Sequence, residues 1–474
     1  MENAYDAVIV GSGPNGLAAA VVLAEAGRSV LVLEAKPTIG GGCKTEEATL
    51  PGYLHDICAA IHPMSLVSPL FKRLPLKDHG LRWAHAAIPL AHPFDDGSAA
   101  VLHRSLKATG ATLGNDGDAW TELMSPFLVN ADALFAELLR PIRLPHHPFM
   151  LARFGAMGLR SCSSLVRGHF REAKAKALFA GCAAHSFLSL DAAASASFGL
   201  VLALVGHATD WPCAQGGSQM IVDSLASYLR SLGGVIHVNH EVRGMNDIPA
   251  SRAVLFDLAP SAVAKIAHDS LPSKYVRQLR AYRQGPGVFK LDWALSAPIP
   301  WIAQDCRRAA TVHVGGTFEE ISASEVDAVN GRVSGRPFVL VAQQSVFDRT
   351  RAPEGRHTGW AYCHVPHGST SDMTERIEKQ IERFAPGFKD VILARRPMFP
   401  ANIEAHNSNM IGGDIGGGAN DLAQFFFRPT MRWDPYSTPN PRLFICSSST
   451  PPGGGVHGMC GYWGAQSALK NALR

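Results

Sequence analysis

Three glycines, Gly11, Gly13 and Gly16, follow the apolar run Ala7–Val10 at G-x-G-x-x-G spacing, and a carboxylate, Glu34, closes the next apolar run, Val30 to Leu33, 23 positions after the first glycine. Residues of these types at this spacing suit the grip on a dinucleotide. Gly11 permits a tight turn, Gly13 lets the main chain approach a pyrophosphate, and Gly16 lets a helix lie close to the strand. Pro14 and Asn15 then open a small-residue helix whose free N–H groups and positive dipole end favour phosphate. Glu34 is placed to accept hydrogen bonds from both hydroxyls of a ribose, and a carboxylate there disfavours a 2′-phosphate. Alone the glycine pattern is weak, but here strand, turn, helix, second strand and acid stand in order, with Gly27 as a helix C-cap.

A second constellation lies near the other end of the chain. Leu443 to Cys446 read as a buried strand, the next residues as a Ser/Pro/Gly turn that includes Ser449, Thr450 and Gly455, and a helix is expected to begin near Val456. Another strand, turn and helix start suit another electronegative group, so one long cofactor would be gripped at both ends. Between them, the glycine-rich run Ala35 to Thr45, with Lys36, Gly41, Gly42 and Lys44, suits close approach to the same cofactor.

For chemistry beyond binding, the candidates are His457 beside the C-terminal turn, Lys290 and Asp292 on one face of a strand, His364, and Asp414 within the loop GGDIGGG. His457 reads either as a proton carrier or as a helix cap, and Lys290 with Asp292 either as acid and base or as an ordinary ion pair. Cys363, His364 and His367 are interrupted by Pro366 and have no fourth ligand, so no metal is expected. His237 and His240 are expected on opposite faces of one strand, unable to chelate together. No serine stands in a G-x-S-x-G elbow, which argues against hydrolase chemistry.

These residues need two supporting bodies. With 474 residues, 46% of them hydrophobic and 18% charged, the chain is globular and long enough for two domains. A net charge of +4 gives no basis for nucleic-acid binding. Nine scattered cysteines without a C-x-x-C speak against a disulfide framework or a redox dithiol and for a reducing, cytoplasmic compartment. The first strand begins within a few residues of Met1, so no secretory leader is expected. The helix Met220 to Ser231 and the strands Val235 to Val242 and Ala253 to Phe256 extend the nucleotide domain. Val288 to Leu295, Phe338 to Gln343 and Thr358 to Val365 form a separate sheet with a helix from Met373 to Phe384. Residues 105–205 are mostly helical in pattern. Within them, Arg140 to Lys176 carry eight cations against the single acid Glu172, interleaved with apolar residues. That stretch fits either a face resting on an anionic membrane or the solvated side of a cap domain. Ala192 to Gly206, uncharged but short for a membrane span, fits a buried helix lining an apolar cavity.

With these motifs in view, the chain resembles the phytoene-desaturase-like branch of FAD-dependent oxidoreductases, including the bacterial members named after pyridine nucleotide-disulfide oxidoreductases. The matching stretches are VGSGPNGLAAAVVLAEAG, GGGCKTEE, QGGSQMIVDSLASYLRSLGG and CSSSTPPGGGVHGMCGYWGA, spread over nearly the whole chain. The resemblance implies an α/β fold: a Rossmann-type FAD-binding domain, glutathione-reductase-like and amine-oxidase-like, formed by residues 1–85, 206–287 and 405–474. A discontinuous α+β substrate domain (86–130 and 288–404) and a helical cap (131–205) would complete it. It further implies FAD held by Gly11, Gly13, Gly16 and Glu34, with Val242 at the adenine and the turn from Ser449 to Val456 along the pyrophosphate and flavin. Relatives often carry Arg straight after the paired glycines, where Lys44 stands in here, and glycine where this chain has Ser447 and Ser449. No second nucleotide fingerprint is present, so no NAD(P)H domain is expected. The implied activity is dehydrogenation (desaturation) or isomerisation of a lipophilic small molecule by hydride transfer. Amine oxidation and a non-catalytic flavin-containing binding protein are the alternatives.

Overall fold

The computed structural model describes residues 5–474. Five parallel strands make the nucleotide-side sheet, in the spatial order Leu443–Ile445, Ser251–Phe256, Tyr5–Val10, Val30–Leu33, Val235–His237. Ala7–Val10, Val30–Leu33 and Ala253–Phe256 are apolar runs because helices cover both faces. Ala7 and Ile9 look toward the helix Pro14–Glu25, whereas Val8 and Val10 join Val254, Phe256 and Leu279 on the other side. The C-terminal helix Met459–Asn471 lies hard against the start of Pro14–Glu25: a Cβ on Gly461 would come within 1.9 Å of the Asn15 carbonyl oxygen. That contact brings the two ends of the chain to one place.

A seven-stranded sheet forms the other body, ordered Ile392–Met398, Gly287–Leu295, His357–Val365, Val339–Ala342, Ala309–Val314, Ile88–Pro93, Ala99–Leu102. All neighbours are antiparallel except Ala309–Val314 with Ile88–Pro93. Alternation assigns the two faces. Leu291, Trp293, Val312, Val341 and Ala361 meet the helix Thr374–Phe384 through Ile377, Ile381 and Phe384. Thr311, Leu340, Ala342, Trp360 and Tyr362 look the other way, into a cavity. Helices Pro148–Gly158, Cys162–His169, Ala173–Ala184 and Ser195–Ala208 close over that face.

Three expectations need correction. The strand expected to run to Val242 ends at His237, because Asn239 adopts the left-handed conformation (φ 54°) and turns the chain back, its amide and that of His240 donating to the carbonyls of Lys36 and Glu34. His240 therefore lies off the strand and borders the cavity. The last helix begins at Met459 instead of near Val456: Gly453, Gly455 and Gly458 all have positive φ, which prolongs the turn. Four strands of the large sheet, Ile88–Pro93, Ala99–Leu102, Ala309–Val314 and Ile392–Met398, carry no clear strand signature in sequence. Prolines and paired arginines interrupt two of them, and only their neighbours in the sheet make them strands.

Candidate cofactor and substrate cavity

One cavity of about 990 Å³ runs from the glycine turn of the parallel sheet to the helix-covered face of the antiparallel one. At its nucleotide end Glu34 is fixed in place: Oε2 accepts from the amide (3.0 Å) and the hydroxyl of Ser12, and Oε1 from the Lys36 amide at 2.9 Å. Three donors leave acceptor capacity on a carboxylate, and Glu34 borders the cavity. Beneath the turn, the buried Asp257 accepts from the Gly16 amide at 2.8 Å, while a Cβ on Gly13 would stand 2.7 Å from its carboxyl. Burial raises the Asp257 pKa to about 7, with the charge of Glu34 pushing the same way and the Gly16 hydrogen bond opposing.

Lys44 is only 7% exposed, reaches the cavity, and among the described residues has no carboxylate or hydrogen-bonding partner for its ammonium. Burial lowers its pKa against the pull of Glu34. A cation held without a counter-ion, beside a helix start and a glycine turn, fits an anionic pyrophosphate. Asn15 likewise points an unpartnered, buried side-chain oxygen within this end.

Of the residues singled out in sequence, Gly11, Gly13, Pro14, Asn15, Glu34, Ala35, Lys36, Gly41, Gly42, Lys44, Val242, Gly455, Val456 and His457 border the cavity. Gly16, Thr45, Ser449 and Thr450 support it from behind. Ser449 shares a hydrogen bond with Ser447 at 2.7 Å, and Thr450 bonds the Ser447 carbonyl at 2.8 Å. Thr45 bonds Asp56 at 2.7 Å and so belongs to a buried clasp. In that clasp Asp56 meets Arg351 at 2.9 Å, Arg351 meets Asp348 at 2.8 Å, and the Asp56 carbonyl receives the Trp360 indole N–H at 2.9 Å. The clasp ties the segment after the glycine-rich run to the cavity wall, and sequence gave no sign of it.

The five candidates for chemistry stand at four separate places. His457 is a cap: its Nδ1 accepts from the Met459 amide at 3.0 Å, which puts the imidazole proton on Nε2. Burial brings its pKa down to about 4, the nearby carbonyls of Gly454 and Gly453 opposing, so it is neutral near pH 7. Asp414 accepts from the amides of Gly285 (2.7 Å), Gly416 (2.7 Å) and Gly418 (3.0 Å) and braces its own loop. Lys290 and Asp292 form a buried ion pair, with His55 3.5 Å from Asp292, just behind the wall of Cys58, Trp360 and Tyr362. The Lys290 ammonium stands 5.7 Å from the Trp360 ring centre, and Trp360 and Tyr362 meet edge to face at 5.3 Å. His364 is hydrogen-bonded through Nδ1 to the Glu325 carboxyl, 2.6 Å away.

The substrate half is lined by Phe154, Phe187, Phe198, Val201, Leu202, Leu340 and Phe425, among others. The carboxylates that reach the cavity are Glu34 and Asp257 at the glycine turn, Glu241 beside Val242, and Glu137, which is bonded to Arg140 and to the amides of His146 and His147.

The description "NAD(P)-binding Rossmann-like domain" matches residues 9–74, the segment that builds the nucleotide end. The chain is 27% identical to pyridine nucleotide-disulfide oxidoreductase domain-containing protein 2 of Rattus norvegicus, over 96% of this chain and 92% of that protein. The chain has a mixed α/β fold with a Rossmann-like nucleotide-binding domain. In three dimensions it is similar to an oxidoreductase from Methanosarcina mazei (TM-score 0.66, 15% identity, 98% of this chain and 100% of that one). It is also similar to putrescine oxidase bound to putrescine (TM-score 0.62, 18% identity, 99% of each chain). The resemblance drawn from the motifs thus extends over the full length, and a flavin or another nucleotide is the class of cofactor this cavity accepts.

Proposed function

We propose that the protein is an FAD-dependent oxidoreductase that dehydrogenates or isomerises a neutral, lipophilic substrate. The observation that carries this reading is the single cavity: a phosphate-ready end with an unpaired Lys44 is continuous with a stretch lined mostly by apolar and aromatic side chains, where the one carboxylate from the helical segment, Glu137, is paired with Arg140. Glu34, Gly13, Asn15 and Lys44 would hold the adenosine and pyrophosphate, Val242 the adenine, and Gly455 with Val456 the ring system. When bound, FAD supplies a two-electron hydride acceptor.

The remaining work falls to the chain's own side chains. The apolar wall excludes water and orients a carbon chain by shape. Lys290 is charge-balanced by Asp292 and covers the Trp360 face, so that face is closed to a second cation. A protonated amine would meet that ammonium with no acid to receive it. Burial drives the Tyr362 phenol pKa up, so it keeps its proton and acts toward the cavity as a donor.

The mouth supports delivery from a lipid surface. Arg140, Arg143, Ile142 and Leu151 border it, and nearby Leu144 and Phe149 are each 91% exposed. Among the described residues no helix is long and apolar enough to cross a membrane, so contact there would be superficial.

The decisive experiment reconstitutes the protein with FAD and mixes it without oxygen with long-chain neutral compounds, primary amines and NAD(P)H. Bleaching of the flavin by the neutral compounds alone is expected. Faster bleaching by small polar amines would replace this reading with amine oxidation, and protein that takes up no FAD would end both. Cosedimentation with anionic but not neutral vesicles is the outcome expected for the mouth, and absence of binding to either removes the lipid surface from the proposal.

A further inference from the structure

Besides Lys44, a second buried cation borders the cavity without a counter-ion. Arg428 is 2% exposed, and among the described residues no carboxylate lies within salt-bridge reach of it. Its partners carry no formal charge: the carbonyls of Gln424, Ser448 and Ala419, each at 3.4 Å, and Asn420 Oδ1 at 2.8 Å. A guanidinium has five N–H donors, so one hydrogen, on Nη1, is left without an acceptor. That nitrogen is pressed on the C-terminal turn at Gly453, where a Cβ would come 2.7 Å from it. Asp414, in the adjoining loop, gives its oxygens to the amides of Gly285, Gly416 and Gly418. Burial raises its pKa against those bonds and against the charge of Arg428, which makes it a weak counter-charge. A cation taken out of water in this way is costly unless something negative joins it.

The two cations mark different stations of one cavity. Lys44 lies against the glycine-rich run at the nucleotide end, a Cβ on Gly40 coming 3.0 Å from its Cγ. Arg428 follows Phe425 and Phe426, which line the apolar half, Phe425 meeting Phe198 at 6.2 Å. On its other side is the turn whose Gly455 and Val456 would hold the ring system. Arg428 therefore stands where the nucleotide end passes into the substrate end, the region in which a hydride acceptor has to meet a substrate carbon.

We propose that Arg428 is the counter-charge to the negative charge that hydride transfer leaves on the flavin ring, so that the protein holds reduced FAD more tightly than oxidised FAD. The inference rests on the reading of an FAD-dependent hydride transfer. In that step a substrate C–H bond breaks and both its electrons pass to the ring with the hydrogen. The substrate is oxidised and releases a proton from the neighbouring carbon, while the ring, neutral before, is reduced and keeps one negative charge. A charge absent before the step and present after it is one that a fixed cation favours selectively, since the cation does not stabilise both states alike. The interaction acts through space and needs no direct contact. At an effective dielectric near 20, a unit charge within about 10 Å shifts such an equilibrium roughly tenfold.

The test measures the two-electron potential of the bound flavin by equilibration with reference dyes without oxygen, and the affinity of the FAD-loaded protein for pentadecane and pentadecanoate by equilibrium dialysis. The wild-type flavin should be easier to reduce than free FAD. Arg428→Gln, which keeps donors for the carbonyls but not the charge, should lower the potential by about 30 mV, the equivalent of a tenfold change for a two-electron couple. Arg428→Lys should restore most of that loss. If Arg428 is only a staple between loops, both variants lose stability and the potential does not move. If it grips the pyrophosphate, Arg428→Gln weakens both oxidation states of FAD alike, again at unchanged potential. If it receives a substrate carboxylate, the wild type prefers pentadecanoate to pentadecane and Arg428→Gln loses that preference without a change in potential. Each of these three results overturns the proposal and leaves FAD in the cavity. Should neither variant hold FAD, the wild type decides, and a potential at or below that of free FAD overturns the proposal. A wild type that takes up no FAD ends the broader reading instead.

Discussion

The two ends of the cavity are made in different ways. The nucleotide end is made mostly of main chain: glycines at the turn, a helix start, and one carboxylate whose partners are amides and the hydroxyl of Ser12. The substrate end is made of side chains brought from the large sheet, the helices Pro148–Gly158 and Ser195–Ala208, and the segment carrying Phe425 and Phe426. A main-chain site can hold an invariant ligand while the rest of the cavity changes; a side-chain site sets which molecule is chosen. The clasp of Asp56, Arg351 and Asp348 joins the two.

The largest effect should come from that junction. Arg351→Ala leaves two buried carboxylates uncompensated and should cost about 3–5 kcal/mol in unfolding free energy, measured by denaturant titration. A loss below about 1 kcal/mol would mean that the ends are not held together there. Next, Glu34→Ala should weaken FAD binding by about 1–3 kcal/mol through the lost charged hydrogen bonds. If the ends are separable, the affinity of the residual holoprotein for pentadecane stays unchanged; a parallel loss of both would break the comparison.

A further effect concerns pH. The Asp257 pKa is raised from 3.8 to about 7 by burial, so the folded state keeps its proton after the unfolded chain has released one. Its contribution to stability is full below the unfolded value and is lost as pH climbs through the folded one. The melting temperature of the wild type should therefore fall relative to that of Asp257→Asn between about pH 4 and about pH 7, then run parallel to it. A constant difference over that range would show that Asp257 is ionised under the glycine turn.

Legibility followed the same division. Ser12 and Glu34 meet across 22 positions, and the helix Gln219–Ser231 and the strand Ser251–Phe256 lie almost where their patterns put them. Val456 illustrates the limit: the turn was recognisable, but three positive-φ glycines delay the helix to Met459. Asp292 and Lys290 were seen to share a face, whereas their place behind Trp360 and Tyr362 was not, because strand pairing decides which side chain stands in front.

By itself, the sequence determined the Rossmann-like nucleotide-binding unit, because the turn, the helix start and the acid are fixed by local spacing and by which residues tolerate a turn or a close approach. The tertiary structure alone decided what faces that unit across the cavity. The bond from Trp360 to Asp56 spans 304 positions and that between His185 and His313 spans 128, separations over which no periodicity survives. Such contacts exist only once sheet register and helix packing have set one side chain against another, and the choice of substrate rests on them.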